Sequence, residues 1–290
     1  MCSYPIPSVE IENINPDLEE SNDVPANRYK YFDEKKQHLH TLDGKPLIGT
    51  STVTKIIAKT LTWWASGMAL TQLGWTNPKL VKKEDGIEIA AKARKNFFIN
   101  NEEYYDWLQE CYRAHDMRKK DAGKTGVDMH EMLEIYVRSC IDTNKGIPLA
   151  HNVDESKAVS SFTEWSMANV DTFLFAEGHC YSERLWVGGI ADAGAKMKDG
   201  NIAIFDFKSA KAAYYDHFIQ AAGYALQIAE NGVFDKDGNQ ILGKMEAQTL
   251  YIVPFGSEDT TPRPHFDVQG RMQDFEAAVR LYKGSQIFEK

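Results

Sequence analysis

Residues 188–208 read GGIADAGAKMKDGNIAIFDFK, two strand-forming runs joined by a turn around Asp199-Gly200. The second run, Ile202 to Phe207, is apolar at nearly every position, the pattern of a strand buried on both faces. Asp206 interrupts it and Lys208 closes it. Side chains alternate along a strand, so Ile204, Asp206 and Lys208 share one face and Phe205 and Phe207 the other. Charges placed in such a strand need partners to offset desolvation. An edge hairpin with ordinary surface charges also contains D-x-K tripeptides; the apolar run argues instead for a buried, partnered pair. If Asp192 of the first run comes to lie beside Asp206, the two carboxylates repel unless a cation sits between them, and their oxygens suit Mg²⁺ or Mn²⁺. A strict two-residue loop would set Asp192 opposite Phe207, on the wrong face. A three-residue loop or a bulge is therefore expected, returning Asp192, Asp206 and Lys208 to one face.

With 290 residues, 43% of them hydrophobic, the chain can bury a large core in one domain, with or without a helical extension. No run approaches the eighteen or so apolar residues of a membrane span, so no membrane association is expected. The acidic, Pro-containing N-terminus lacks the basic and apolar regions of a signal peptide, which leaves the cytoplasm as the expected location. Cys2, Cys111, Cys140 and Cys180 lie far apart and form no C-x-x-C pair, so their spacing suggests neither a zinc ribbon nor an iron–sulfur cluster. Residues 1–27 hold six acids and no Lys or Arg, accounting for six of the nine net negative charges. That segment reads as an acidic, disordered tail.

Residues 28–125 read as an N-terminal hairpin followed by helices. Tyr29 to Phe32 and His38 to Leu42 pattern as strands, with Asp43-Gly44-Lys45-Pro46 as a turn. A short helix carrying Val53, Ile56 and Ile57 follows, then one with Trp63, Trp64 and Met68. From Lys79 to Lys124, eleven bases, Lys119, Lys120 and Lys124 among them, alternate with nine acids and with Phe97, Tyr104, Tyr105 and Trp107. Solvated helix faces account for this pattern; so does the wall of a DNA groove. Residues 126–290 carry the core: an amphipathic helix from Gly126 in which His130 and Glu134 share a flank, a helix near Ser156 to Asn169, and strand candidates at Phe173 to Phe175 and His179 to Val187. The two runs of residues 188–208 come next. They are followed by a helix over Ala212 to Glu230, a buried strand at Leu250 to Val253 and a terminal helix from Val268 to Phe288.

Collected, the polar residues that break the apolar pattern are His130, Glu183, Asp192, Asp206, Lys208, Gln220 and Tyr224. Their order over helix, three strands, helix and strand resembles the αβββαβ core of the PD-(D/E)XK (restriction-endonuclease-like) nucleases, an α/β fold with a central mixed sheet flanked by helices. The motifs are most similar to the RecB-type exonuclease branch, which includes the mitochondrial genome maintenance and phage exonucleases. The G-x-x-x-H motif is matched by Gly126 to His130, G-x-x-D by Gly189 to Asp192, (D/E)-x-K by Asp206-Phe207-Lys208 and Q-x-x-x-Y by Gln220 to Tyr224. Upstream, residues 41–47 and 51–54 and the Trp-bearing helix are similar to the N-terminal part of these enzymes, so the resemblance covers roughly residues 38–255. The cluster-bearing members have three cysteines downstream of the catalytic strands. This chain has none after Cys180.

The resemblance implies a metal-dependent deoxyribonuclease holding one or two Mg²⁺ or Mn²⁺ ions through Asp192, Asp206, His130 and the Phe207 carbonyl. Lys208 then positions and helps deprotonate the attacking water, or neutralises developing charge; a pKa depressed by burial and by the metal favours the first role. Gln220 and Tyr224 contact DNA or support the metal ligands, and Glu183 is a second-metal ligand or a structural acid. The implied substrate is DNA, at ends or in single strands, in recombination, repair or phage DNA processing, with recombination or replication proteins as expected partners. The alternatives are an endonuclease on the same scaffold, a catalytically silent DNA-binding module, and, more weakly, a metal-dependent phosphatase.

Overall fold

The structure is a computed structural model, described over residues 28–34, 37–57, 62–72, 110–111, 113–114, 129–150, 157–256 and 260–288. It is α/β, with one large mixed sheet, a smaller antiparallel sheet and helices. The smaller sheet is β1 (Tyr29–Glu34), β2 (Gln37–Leu42) and β3 (Lys45–Pro46), so the expected N-terminal hairpin forms, with Tyr29 opposite Leu42. The acidic tail and Lys119, Lys120 and Lys124 lie outside the described residues.

The large sheet consists of β4 (Ile48–Gly49), β5 (Val170–Ser182), β6 (Val187–Met197), β7 (Ile202–Lys208), β8 (Val233–Phe234), β9 (Gln240–Leu242), β10 (Thr249–Pro254) and β11 (Arg263–His265). Its order is β11-β10-β7-β6-β5-β8-β9, with β4 paired to β6. The strands β5, β6 and β7 form an antiparallel meander, and β10 joins β7 in parallel after a crossover through a helix. The helices include α1 (Thr50–Thr54), α2 (Thr62–Gln72), α3 (129–144), α4 (Lys157–Asn169), α5 (Tyr215–Asn231) and α6 (Val268–Phe288). No helix of the described residues is long and apolar enough to cross a membrane.

Helical periodicity decides which faces of α3 and α5 are buried. Along α3, Leu133, Tyr136, Val137 and Cys140 recur at helical spacing and pack with Phe162 of α4 on Phe173, Ala193, Phe205 and Phe207 of the sheet. On the other face, Ala221, Ala222, Ala225 and Ile228 of α5 meet Ile204, Leu250 and Ile252. The second run of residues 188–208 is thus buried on both sides, as its apolar composition predicts. Each fully buried Phe or Ile side chain there stabilises the fold by roughly 1.5–3 kcal/mol.

The hairpin of β6 and β7 closes through Lys198-Asp199-Gly200: Met197 N–H donates to the Asn201 carbonyl (2.8 Å), and Ala193 lies opposite Phe205. This is the expected three-residue loop. Continuing the register puts Asp192 opposite Asp206. Two strand boundaries differ from expectation. The segments at Phe173 to Phe175 and from His179 are one strand, β5, whose register against β6 shifts at two places and whose backbone takes φ 51° at Glu177. Those irregularities break the alternation that identifies a strand in sequence. The chain also leaves β5 at Ser182, whose hydroxyl accepts a hydrogen bond from Leu185 N–H (3.0 Å), and reaches β6 through a turn.

The edge of β6 that β7 borders is shared. Because β5 runs along the other edge of β6 as far as Val187, the pairing of Ile48 with Val187 puts β4 on the edge used further on by β7. A gap remains between the two at Gly189 to Asp192. Gly189 sits there against α1 and α5: an added Cβ would come within 2.6 Å of the Tyr224 ring and 2.7 Å of Thr50 Oγ1. Thr50 is held by Gln227, whose Nε2 donates to it (2.8 Å), so neither wall can retreat easily. Gly189→Ala is expected to destabilise the protein by about 1–3 kcal/mol, the range for overpacking a core. Urea unfolding measures it, and an unchanged midpoint would mean that Tyr224 moves aside freely.

Candidate metal centre

The register of three neighbouring strands builds the site. Ala176 pairs with Ala193 and Gly178 with Ala191, which brings Glu177 of β5 to Asp192 of β6, and the β6–β7 pairing runs to Ala193 opposite Phe205, one step from Asp192 and Asp206. Three carboxylates therefore occupy one level of the sheet. Asp192 is held from two sides: its Oδ2 accepts the Phe207 N–H (2.5 Å), and its Oδ1 lies 3.0 Å from His130 Nε2 on α3. Glu177 Oε1 is 3.9 Å from the same imidazole nitrogen. Ligand atoms of His130, Glu177 and Asp192 all lie within 4.8 Å of one another, a compact donor set of one nitrogen and two carboxylates.

Asp206 is almost fully buried, and Lys208 Nζ donates to its Oδ1 (2.8 Å) while lying 2.7 Å from Oδ2. Burial, with Asp192 adding to it, raises the Asp206 carboxyl to about 7 against the opposing pull of Lys208. Burial and the charge of Asp192 likewise raise Glu177 to about 8, and its Oε1 is buried with no hydrogen-bond partner among the described residues. For His130, burial is outweighed by the hydrogen bond to Asp192 and by the surrounding acids, which raise the imidazole to about 9. Crowded acids with raised pKa values and an unpartnered buried oxygen fit a divalent cation, which would replace the protons that hold this cluster together.

For Lys208 two influences compete. Burial lowers its pKa, but Asp206 and Asp192 outweigh burial and the net direction is up. The ammonium is held protonated by its carboxylate neighbours. Gln220 Nε2 donates to Tyr224 Oη (2.7 Å), and the buried Tyr224 ring lies against Gly189, so Tyr224 supports the wall while Gln220 sits on its solvent side. His217, on the same helix, accepts a hydrogen bond from the Tyr214 N–H (3.3 Å) as a cap, and burial and Lys208 lower its pKa to about 4.

Glu183 is not part of the cluster. It lies in the turn after β5, where its carboxylate is 3.0 Å from the Arg28 guanidinium, which also binds Asp43. Glu177, six residues earlier, is the acid that β5 contributes. Its sequence signal is the one that marks Asp206: a single acid inside an apolar run, here Phe173-Leu174-Phe175-Ala176.

His130, Glu177, Asp192, Phe207, Lys208, Gln220 and Tyr224 line a cleft of about 1320 Å³, together with Ser51, Thr52 and Lys55 of the α1 region and His38 and His40 of the hairpin. The hairpin is anchored by a buried polar contact. The Tyr29 hydroxyl lies 2.6 Å from His40 Nδ1 and 3.3 Å from His179 Nδ1, while burial lowers His40 to about 3 and His179 to about 4. Cys111, Cys140 and Cys180 are free and buried, and none is among the residues that line the cleft. No protein-family model matches the chain, and no curated protein matches it.

The raised groups set the pH response of the protein in chelator. Glu177 normally titrates at 4.5, so its penalty is absent below that value and fully present above about 8. His130 contributes stability below its ordinary 6.5 and loses it as pH passes about 9. Both effects have one sign, because the native state holds protons that the unfolded chain has released. Stability in EDTA should fall between about pH 7 and about pH 9, above the range in which the lowered His40, His179 and His217 make stability rise with pH, and Glu177→Gln should flatten that fall. Added Mn²⁺ should release protons, read as a buffer-dependent heat by calorimetry. A urea midpoint that rose across the interval would contradict this ordering of charges.

Proposed function

We propose that the chain is a metal-dependent deoxyribonuclease of the PD-(D/E)XK superfamily, an exonuclease acting on DNA ends or single strands in recombination, repair or phage DNA processing, in the cytoplasm of a bacterial or phage-infected cell. The observation that carries this reading is the row Glu177–Asp192–Asp206 across three adjacent strands, flanked by His130 and Lys208 at the wall of one large cleft. Two further features support it. The order α3, β5-β6-β7, α5, β10, with β10 parallel to β7, follows the expected αβββαβ arrangement, with α4 inserted after the first helix. The cleft also exceeds the roughly 300–1,000 Å³ of small-molecule pockets, which favours a polymeric phosphodiester over a small phosphate ester.

In this reading Asp192, Glu177 and His130 hold the cation, with Asp206 and the Phe207 carbonyl as further oxygen donors. A bound Mg²⁺ or Mn²⁺ supplies a water of lowered pKa and stabilises charge on the phosphate. The chain's own contribution is orientation. The Phe207 N–H and His130 fix the Asp192 carboxylate from two sides, and Asp206 fixes the Lys208 ammonium. Its carboxylate neighbours favour a protonated Lys208, which supports a role as donor to the negative charge that develops on the phosphate. Gln220, on the solvent side of Tyr224, is placed to meet the DNA backbone.

Digestion of end-labelled single-stranded, blunt duplex and closed circular DNA in Mg²⁺ or Mn²⁺ tests the reading. The ended substrates should be degraded and the circle spared, and Asp206→Asn and Lys208→Ala should each slow cleavage at least about a hundredfold. Cutting of the closed circle would make the protein an endonuclease. Near wild-type turnover in either variant would remove the assignment, and intact DNA with every substrate would leave a silent DNA-binding module.

A further inference from the structure

The hairpin that borders the cleft carries a ring pair on which the metal-site chemistry makes no demand. Tyr31 of β1 and His38 of β2 are joined through a hydrogen bond between the Tyr31 hydroxyl and His38 Nδ1. Their ring centroids are 6.0 Å apart and their planes differ by 12°. A hydrogen bond between ring edges at that separation and tilt sets the two rings side by side, as one nearly flat plate. The Tyr31 end is backed by His179 (centroids 4.6 Å) and His40 (5.2 Å), both held at the Tyr29 hydroxyl, so the plate rests on rigid structure. The His38 end is open: its side chain is 65% exposed and it lines the same cleft as Glu177 and Asp192.

The electrostatics of the cleft give such a plate a use. Among the described lining residues, four carboxylates (Glu131, Glu134, Glu177, Asp192) face Lys55, Lys208 and the imidazole of His130. Charges of the two signs are close to balanced there, so these side chains form no strongly basic track for a phosphate backbone. Stacking on planar side chains adds affinity for a strand through its bases, without regard to sequence. A base inside a duplex has its faces covered by its neighbours, so only an unpaired base can use the plate.

We infer that the Tyr31–His38 pair is a stacking site for an unpaired nucleobase of single-stranded DNA threaded through the cleft, and that it makes the protein prefer single strands to duplexes. The inference rests on the nuclease reading for the identity of the polymer, but it is read out by binding rather than cleavage. Fluorescence anisotropy of the full-length protein in Ca²⁺, with a labelled oligothymidylate and a blunt duplex of equal length, provides the test; a gel run alongside confirms intact oligonucleotides. His38→Ala should weaken single-strand binding about tenfold, the scale of one stacked base, with duplex binding unchanged. His38→Phe keeps a ring and loses the hydrogen bond, and should retain most of the affinity. Thermal melts of both variants should match the wild type, since the side chain is exposed. Equal loss on both DNAs, no loss at all, or a loss in His38→Phe as large as in His38→Ala would overturn the stacking site, as would a wild type with no preference for the single strand. Ring-dependent binding without cleavage in Mg²⁺ or Mn²⁺ would keep the stacking site and sink the nuclease reading. Cleavage that does not depend on the ring would do the reverse.

Discussion

Like charges at one level of a sheet are the constraint around which the rest of this molecule is arranged. The pairings of β5 with β6 and of β6 with β7 bring Glu177, Asp192 and Asp206 to neighbouring positions on three strands, and a slip of one residue in either pairing would move one acid out of line. Side chains on one strand level lie close enough to repel one another when charged. The neighbours are those that such a row requires: an ammonium against Asp206, an imidazole and a backbone N–H against Asp192, and an open cleft beside Glu177. Proton uptake completes the neutralisation where those partners do not suffice.

Much of this was legible in the sequence, for reasons that can be named. The terminal helix, the parallel strand β10 and the three-residue loop after Met197 all follow from periodicity and from the need to place two carboxylates on one face. Local rules govern those elements, and local rules are what a single sequence displays. Glu177 was hidden because its strand carries two register shifts and a left-handed residue, so alternation fails where it was needed. Glu183 drew attention by lying on an extrapolated strand. The chain turns at Ser182 first, and a distant arginine, Arg28, takes the carboxylate. The direction of the Lys208 shift was equally illegible, since it depends on which carboxylate sits within reach, a tertiary fact that outweighs burial.

The N-terminal hairpin is tied to the large sheet by more than proximity. Through β4 it occupies the same edge of β6 that β7 uses, and Tyr29, Leu42 and Leu47 share a small core with Tyr181 and Phe234 of the large sheet. The meander β5-β6-β7 is built from neighbours in sequence, whereas β4 pairs across more than a hundred residues (Ile48 with Val187). Loop-closure entropy therefore favours the meander forming first and the hairpin docking onto it. The cleft exists only after that second step, because its far wall belongs to the hairpin and to α1.

The Tyr29 hydroxyl has a further implication. It stands between the Nδ1 atoms of His40 and His179, both uncharged at neutral pH because burial lowers them. A phenol has one hydrogen to give. It donates to one ring and must receive from the other, so one histidine carries its proton on Nδ1 and the other on Nε2. The two imidazoles, alike in the sequence, are thus opposite tautomers. Reversing the pair requires the phenol hydrogen and both ring protons to change places together, which gives this joint between the sheets a fixed polarity.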